Sequence, residues 1–249
     1  MSLAVTVLGC SGVYQSRESA ASGYLVEVDG ERWLLDAGGG TWRNLLQHMD
    51  YRDLRGVVLS HRHPDHTIDI WQLFHALQYG DIEAPAPAIP LWAPQETIDR
   101  LLGFDPGLAE GFDLKPVTVD SVITFGEARV SFGRMKHPPV TLGARIELNG
   151  SIFAYSADTG LEGDFESTAR DADVFVCEAT AQNSEEPWWG HLCAADAGSI
   201  AARLGVRKLV LAHIRPGSDR QLSLAEARAT AADIEVELAS DGLRLEVGR

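Results

Sequence analysis

The stretch Leu59–Ile70, LSHRHPDHTIDI, crowds His61, His63, Asp65 and His66 into six residues, directly after the apolar run GVVL. Four such polar groups packed together without a cation would compete for water with no structural gain. Imidazole nitrogen together with carboxylate oxygen suits zinc, and also manganese or iron. The cluster holds too many ligands for one ion, so two ions with further ligands from other strand ends are expected. Three segments fit: His137 in RMKHPP, Asp158 in YSADTG and His213 in LVLAHI. Each follows a strand-like run and precedes a turn or helix, and open sheets place their sites outside strand ends.

That requirement fits the pattern of the whole chain. LAVTVLG alternates and stops at glycine, as a first strand does. GYLVEVDGERWLLDAGGG reads as a hairpin around Asp-Gly, and TWRNLLQHM as a helix. GVVL is a buried strand running into the histidine loop, and TIDIWQLFHALQYG is helical. A short strand IPLWA and a helix QETIDRLLG follow, then strands with turns at FGEA and LNGS. A helix near 160–170, strand DVFVCEA, helix AADAGSIAARLG, strand KLVLAHI, helix SLAEARATAADI and two short strands complete the chain. Strands after strands, then helix–strand alternation, predict two sheets with helices outside, in one domain spanning residues 1–249. No internal repeat appears, and PAPAIP is too short to be more than a loop.

A net charge of −15 argues against a long polyanionic partner, which usually meets a basic stripe. No apolar run approaches the roughly 20 residues of a membrane helix. The segment MSLAVTVLGCSG has no basic region before its apolar run, so it reads as a strand and not as a signal peptide. Cys10, Cys177 and Cys193 are too few and scattered for a disulfide framework; they read as small core residues, and a cytoplasmic setting is expected. His48 and His75 fall in helical segments and receive no role.

The order HxHxDH, His, Asp, His resembles the metallo-β-lactamase superfamily, and more finely its ribonuclease Z-like branch. AYSADTG resembles that branch's fourth motif, VCEATAQ its HEAT-like segment, and HLCAADAGSIAARLGVRKLVLAHI its final helix–strand unit. The resemblance implies an α/β fold, an αββα sandwich of two mixed β-sheets flanked by helices. It implies two divalent ions, zinc foremost: one on His61, His63 and His137, the other on Asp65, His66 and His213, with Asp158 bridging. It further implies that Glu178 and His191 supply the leaving group's proton, with Glu178 orienting the imidazole, so that Glu178→Gln should slow turnover less than His191→Ala. Asp65 would also orient the attacking water. A homodimer is expected from the family alone.

The departures are specific. Pro64 replaces the small residue before the motif aspartate, Cys177 replaces the histidine that often opens the HEAT-like segment, and Leu192-Cys193 replace Ser-Thr after His191. No long arm for transfer RNA fits between His137 and Asp158, where one hairpin takes up the run, nor between Asp158 and Glu178. The chain resembles the compact arm-less relatives, some of which hydrolyse 3′,5′-cyclic nucleotides. A small phosphodiester is therefore the expected substrate. A transfer RNA 3′-end endonuclease, a thioester or lactam hydrolase and a catalytically dead metal-binding domain are the competing readings. Outside the metal set, the ordinary alternatives are a solvated or helix-capping Glu178 and a surface His191. Trp188 and Trp189, in EEPWWGH, would stack on a nucleobase or, more ordinarily, close over the core or a subunit contact.

Overall fold

The computed structural model describes residues 2–81, 83–84, 86–183, 185 and 189–248. The first sheet is built from β1 (Leu3–Gly9), β2 (Gly23–Val28), β3 (Glu31–Ala37), β4 (Leu54–Val58), β5 (Ile89–Ala93), β6 (Phe112–Pro116) and β14 (Arg244–Val247). The second holds β7 (Val122–Phe125), β8 (Ala128–Arg134), β9 (Leu142–Leu148), β10 (Ser151–Tyr155), β11 (Val174–Glu178), β12 (Lys208–Ala212) and β13 (Glu235–Leu238). Their orders are β14-β1-β2-β3-β4-β5-β6 and β13-β12-β11-β10-β9-β8-β7. Each sheet is mixed: β3-β4-β5-β6 and β10-β11-β12-β13 pair in parallel, and the remaining pairs are antiparallel.

Period-two alternation sorts the side chains into layers. Val5, Val7, Tyr24, Val26 and Leu35 meet Val130, Ile146, Phe153, Val176 and Val210 between the sheets. The alternate residues Leu8, Leu25, Leu34 and Val57 face helices α1 (Thr41–Leu45), α3 (Ile70–Tyr79) and α4 (Gln95–Phe104). Phe175, Cys177, Leu209 and Leu211 face α6 (Phe165–Ala169), α7 (Ala194–Leu204) and α8 (Arg220–Thr230). Strands covered on both faces read as continuous apolar runs, as β1, β11 and β12 do. Each fully buried Val, Leu or Phe contributes about 1.5–3 kcal/mol. The layers are helix, sheet, sheet, helix, as expected from sequence.

The β2–β3 hairpin turns at Asp29-Gly30, whose φ values of 50° and 86° suit the two-residue turn that matches strand twist. The helix expected across TWRNLLQHM stops at Leu45, where the chain turns outward: Leu46, Gln47 and His48 are exposed before Met49 is buried again. The two final strands part company: β13 extends the second sheet, while β14 crosses back to pair with β1. Two short helices, α2 (Pro64–Thr67) and α5 (Leu108–Gly111), complete the set among the described residues. Among these residues no helix is long and apolar enough to cross a membrane.

Because β3, β4, β8, β10, β11 and β12 run the same way, their C-terminal ends share one edge. Backbone bonds fasten the sheets there: Leu142 N donates to Ser60 O at 3.1 Å, and His213 N to Cys10 O at 2.8 Å.

Candidate metal centre

Every sequence-predicted ligand arrives at that edge. His61 and His63 lie in the loop after β4, and Asp65 and His66 lie in α2. Pro64 occupies the first helical turn, where its missing N–H costs nothing and its fixed φ starts the helix. His137 follows β8, Asp158 follows β10 and His213 follows β12. Asp36, Ala157 and His213 adopt left-handed φ values of 59°, 51° and 56°. Such strained non-glycine turns persist where surrounding contacts over-determine them; here Asp36 and His213 turn their own side chains toward the site, and Ala157 directly precedes Asp158.

Two clusters of donor atoms form. One joins His61, His63, His137 and Asp158; the other joins Asp65, His66, Asp158 and His213. Asp158 belongs to both through different oxygens. Its Oδ2 lies 3.6 Å from both His61 Nε2 and His137 Nε2. Its Oδ1 lies 3.1 Å from His66 Nε2 and 3.2 Å from His213 Nε2. Asp65 Oδ2 is 3.2 Å from His213 Nε2, and His137 Nε2 is 3.1 Å from His63 Nδ1. The buried His61 Nε2 and Asp158 Oδ1 have no hydrogen-bond partner. Orphaned atoms among converging nitrogen and oxygen donors fit divalent cations and no apolar filling.

The outer ring nitrogens explain this aim. His66 Nδ1 donates directly to Asp36 Oδ2 at 2.8 Å. His61 Nδ1 donates to Ser60 Oγ at 3.0 Å, and that hydroxyl donates to Asp36 Oδ2 at 2.8 Å. The second sheet repeats the device. His213 Nδ1 donates to Thr180 Oγ1 at 2.9 Å, which donates to Glu178 Oε2 at 2.6 Å. His137 Nδ1 donates to Gly190 O at 2.9 Å. With Nδ1 thus occupied, Nε2 is the inward nitrogen of these four rings, the usual arrangement around bound metals. His63 is the exception and points Nδ1 inward. Sequence reasoning missed Asp36, Ser60, Thr180 and Tyr155, whose hydroxyl donates to Asp36 at 2.8 Å. Only Asp36 left a signal: a carboxylate between the apolar run WLL and the glycines of DAGGG.

The electrostatics differ between clusters. Burial holds His61 well below the usual histidine range, lowers His63, and pulls His137 down to about 4. Burial also opposes charge on His66, but Asp158, Asp65 and Asp36 outweigh it and hold that ring well above its ordinary value. Asp158 stays well below the carboxylate range, because His213 and His66 outweigh the burial that would raise it.

Glu178 and His191 sit beside the second cluster. Glu178 is buried, and its Oε1 accepts from Thr159 N at 2.6 Å and His191 Nδ1 at 3.1 Å. Its Oε2 accepts from the Thr180 hydroxyl, from Thr180 N at 3.3 Å and from Leu192 N at 3.2 Å. It is neither solvated nor a helix cap. His191 stacks on His213 with ring centroids 5.7 Å apart. Burial disfavours its charge, yet the Glu178 carboxylate raises it to about 9. Trp189, 65% exposed, lines a cleft of about 480 Å³ with His191, so it does not close over the core. Trp188 lies outside the described residues. Cys10 and Cys177 are buried as expected, but Cys193 is half-buried and caps α7, its thiol donating to Asp196 Oδ2 at 2.9 Å.

Residues 31–214 match the family model described as the beta-lactamase superfamily domain. The chain is 35% identical to the uncharacterized protein Rv1339 of Mycobacterium tuberculosis over 239 residues, covering 92% of this chain and 87% of that one. It is 28% identical to the probable metallo-hydrolase YhfI of Bacillus subtilis, covering 96% and 97%. The crystal structure of YhfI superposes with a TM-score of 0.91 at 25% identity, covering 99% of this chain and all of that one. Ribonuclease Z of Thermobifida fusca is 27% identical, covering 97% of this chain and 93% of that one. That last alignment runs over 297 positions although this chain has 249 residues, so the ribonuclease Z carries inserted segments that are absent here.

Proposed function

The chain belongs to the metallo-β-lactamase superfamily, in its ribonuclease Z-like branch, as a metallo-hydrolase, and from that premise we propose that it is a dinuclear phosphodiesterase acting on small phosphodiesters such as 3′,5′-cyclic nucleotides. The observation that carries the reading is the division of Asp158 between two donor clusters, with the Glu178–His191 pair directly alongside. His61, His63, His137 and Asp158 Oδ2 would hold one ion; Asp65, His66, His213 and Asp158 Oδ1 would hold the other. Zinc suits the donor set best, with manganese or iron as alternatives. Such a pair, when bound, polarises the phosphate, activates water and stabilises both attacking and leaving oxygens of an in-line displacement.

The chain's own groups supply the rest. Glu178 accepts the Nδ1 proton of His191 and favours the imidazolium, so Nε2 carries the transferable proton. His191 then protonates the departing alkoxide as general acid. Asp65 would help hold its ion and would orient the attacking water. Trp189, beside His191 in the open cleft, offers a face for a nucleobase. The run between His137 and Asp158 is filled by the β9–β10 hairpin, so no arm is present there to grip transfer RNA. The charge of −15 points away from a long nucleic acid as well.

The test is His191→Ala in metal-loaded protein. Metal content should hold, because the ligand set is complete without it. Turnover of a cyclic nucleotide should fall by about 100- to 10,000-fold. The loss should shrink for a bis(nitrophenyl) phosphodiester, whose leaving oxygen needs no proton. Loss of metal, or equal slowing of both substrates, would remove His191 from the acid role.

A further inference from the structure

The two loops that carry the first cluster come from different sheets, and little backbone joins them. Beyond Leu142 N to Ser60 O, a side-chain bridge spans them. Glu96, in the first turn of α4, accepts Arg62 Nε on Oε1 at 2.6 Å. Its Oε2 accepts Val140 N at 2.9 Å. Arg62 stands between His61 and His63, and Val140 lies three residues after His137, past two prolines. One carboxylate thus uses one oxygen on each ligand loop. Neither bond is needed for α4 itself, which buries Thr97, Ile98 and Leu101.

We propose that Glu96 is a positioning residue that clasps the His61/His63 loop to the His137 loop and so sets metal affinity at the first cluster. The inference rests on the dinuclear reading above. An exposed ion pair alone contributes little. Here the same carboxylate also takes a backbone N–H, so its loss frees two loops at once. The second cluster shares no bond with Glu96: its ligands are fixed through Asp36, Thr180 and α2. Partners bonded directly to a metal ligand matter about 10- to 100-fold in affinity. Glu96 acts one bond further out, so the expected effect is smaller, about 3- to 10-fold.

Zinc affinity measured by chelator competition, without any assay of turnover, decides the matter. In a His213→Ala background the remaining tight equivalent belongs to the first cluster, and Glu96→Ala should weaken it about 3- to 10-fold. In a His63→Ala background the remaining equivalent belongs to the second cluster, and Glu96→Ala should leave it unchanged. Glu96→Gln, with one oxygen left for the Val140 N–H, should fall between wild type and Glu96→Ala. Arg62→Ala in the otherwise native protein should reproduce the loss, and adding Glu96→Ala should add less than its single effect. Unchanged affinity in the His213→Ala background, or equal weakening in both backgrounds, would overturn the clasp. Native protein that binds a single equivalent would instead overturn the dinuclear reading on which it rests.

Discussion

Glu178→Gln changes one oxygen to an amide nitrogen, and the structure makes this costly. The native carboxylate is 2% exposed and accepts five donors: Thr159 N, His191 Nδ1, Thr180 N, the Thr180 hydroxyl and Leu192 N. Glutamine has one acceptor oxygen. The less costly orientation puts its nitrogen at the Oε1 position, donating to a neutral His191 Nδ1 and orphaning Thr159 N. An unsatisfied buried donor costs about 1–3 kcal/mol, and the remaining bonds lose their charge assistance. A destabilisation of about 2–4 kcal/mol follows, which for a chain of this size is about 4–16 °C in Tm. The substitution also forces His191 toward the neutral tautomer and loosens the residue after Asp158. The milder effect expected of Glu178→Gln concerns turnover; for stability the order is the opposite, and His191→Ala should melt closer to wild type. Differential scanning calorimetry on both variants, metal-free and metal-loaded, reads this directly. A Glu178→Gln protein melting within about 1 °C of wild type would refute the reasoning.

Asp36→Asn should keep the fold but weaken metal binding by about 10- to 100-fold in chelator competition, since Asp36 orients His66 directly and His61 through Ser60. Acid should strip the clusters in order. His61, His63 and His137 lie below the ordinary histidine value and stay neutral as pH falls, whereas His66 lies above it and takes a proton first. Lowering the pH from 8 toward 5 should therefore release metal from the His66 cluster before the His61 cluster. Elemental analysis after dialysis at each pH, repeated on His63→Ala, follows the sequence of loss; loss from the His61 cluster first would contradict it.

The clustered donors were legible as a group because histidine and aspartate crowded at the end of an apolar run have few uses other than binding a cation. That His137, Asp158 and His213 join them was read from their places after strand-like runs and from the family resemblance, and the structure brings all seven to one edge. What surrounds them was less legible, for physical reasons. Ser60, Tyr155 and Thr180 are ordinary polar residues whose roles exist only once two sheets stand face to face. Glu96 sits on a helix far along the chain, and nothing local marks its reach to Arg62 and Val140. The left-handed backbone at Ala157 and His213 has no signature in residue types that usually avoid it. Exposure of Trp189 was not readable either, since the same side chain serves cores and clefts. The return of β14 to the first sheet is a long-range pairing that period-two alternation does not encode.

The measurement that bears most directly on the proposed function is a turnover panel at defined metal loading. Cyclic AMP, cyclic GMP, a precursor transfer RNA and a bis-aryl phosphodiester would be compared on one preparation carrying two zinc equivalents. The expected result is turnover of at least one cyclic nucleotide and of the aryl diester, with little or no site-specific cleavage of the precursor. Efficient 3′-end processing of the transfer RNA, with weak activity on both cyclic nucleotides, would contradict it.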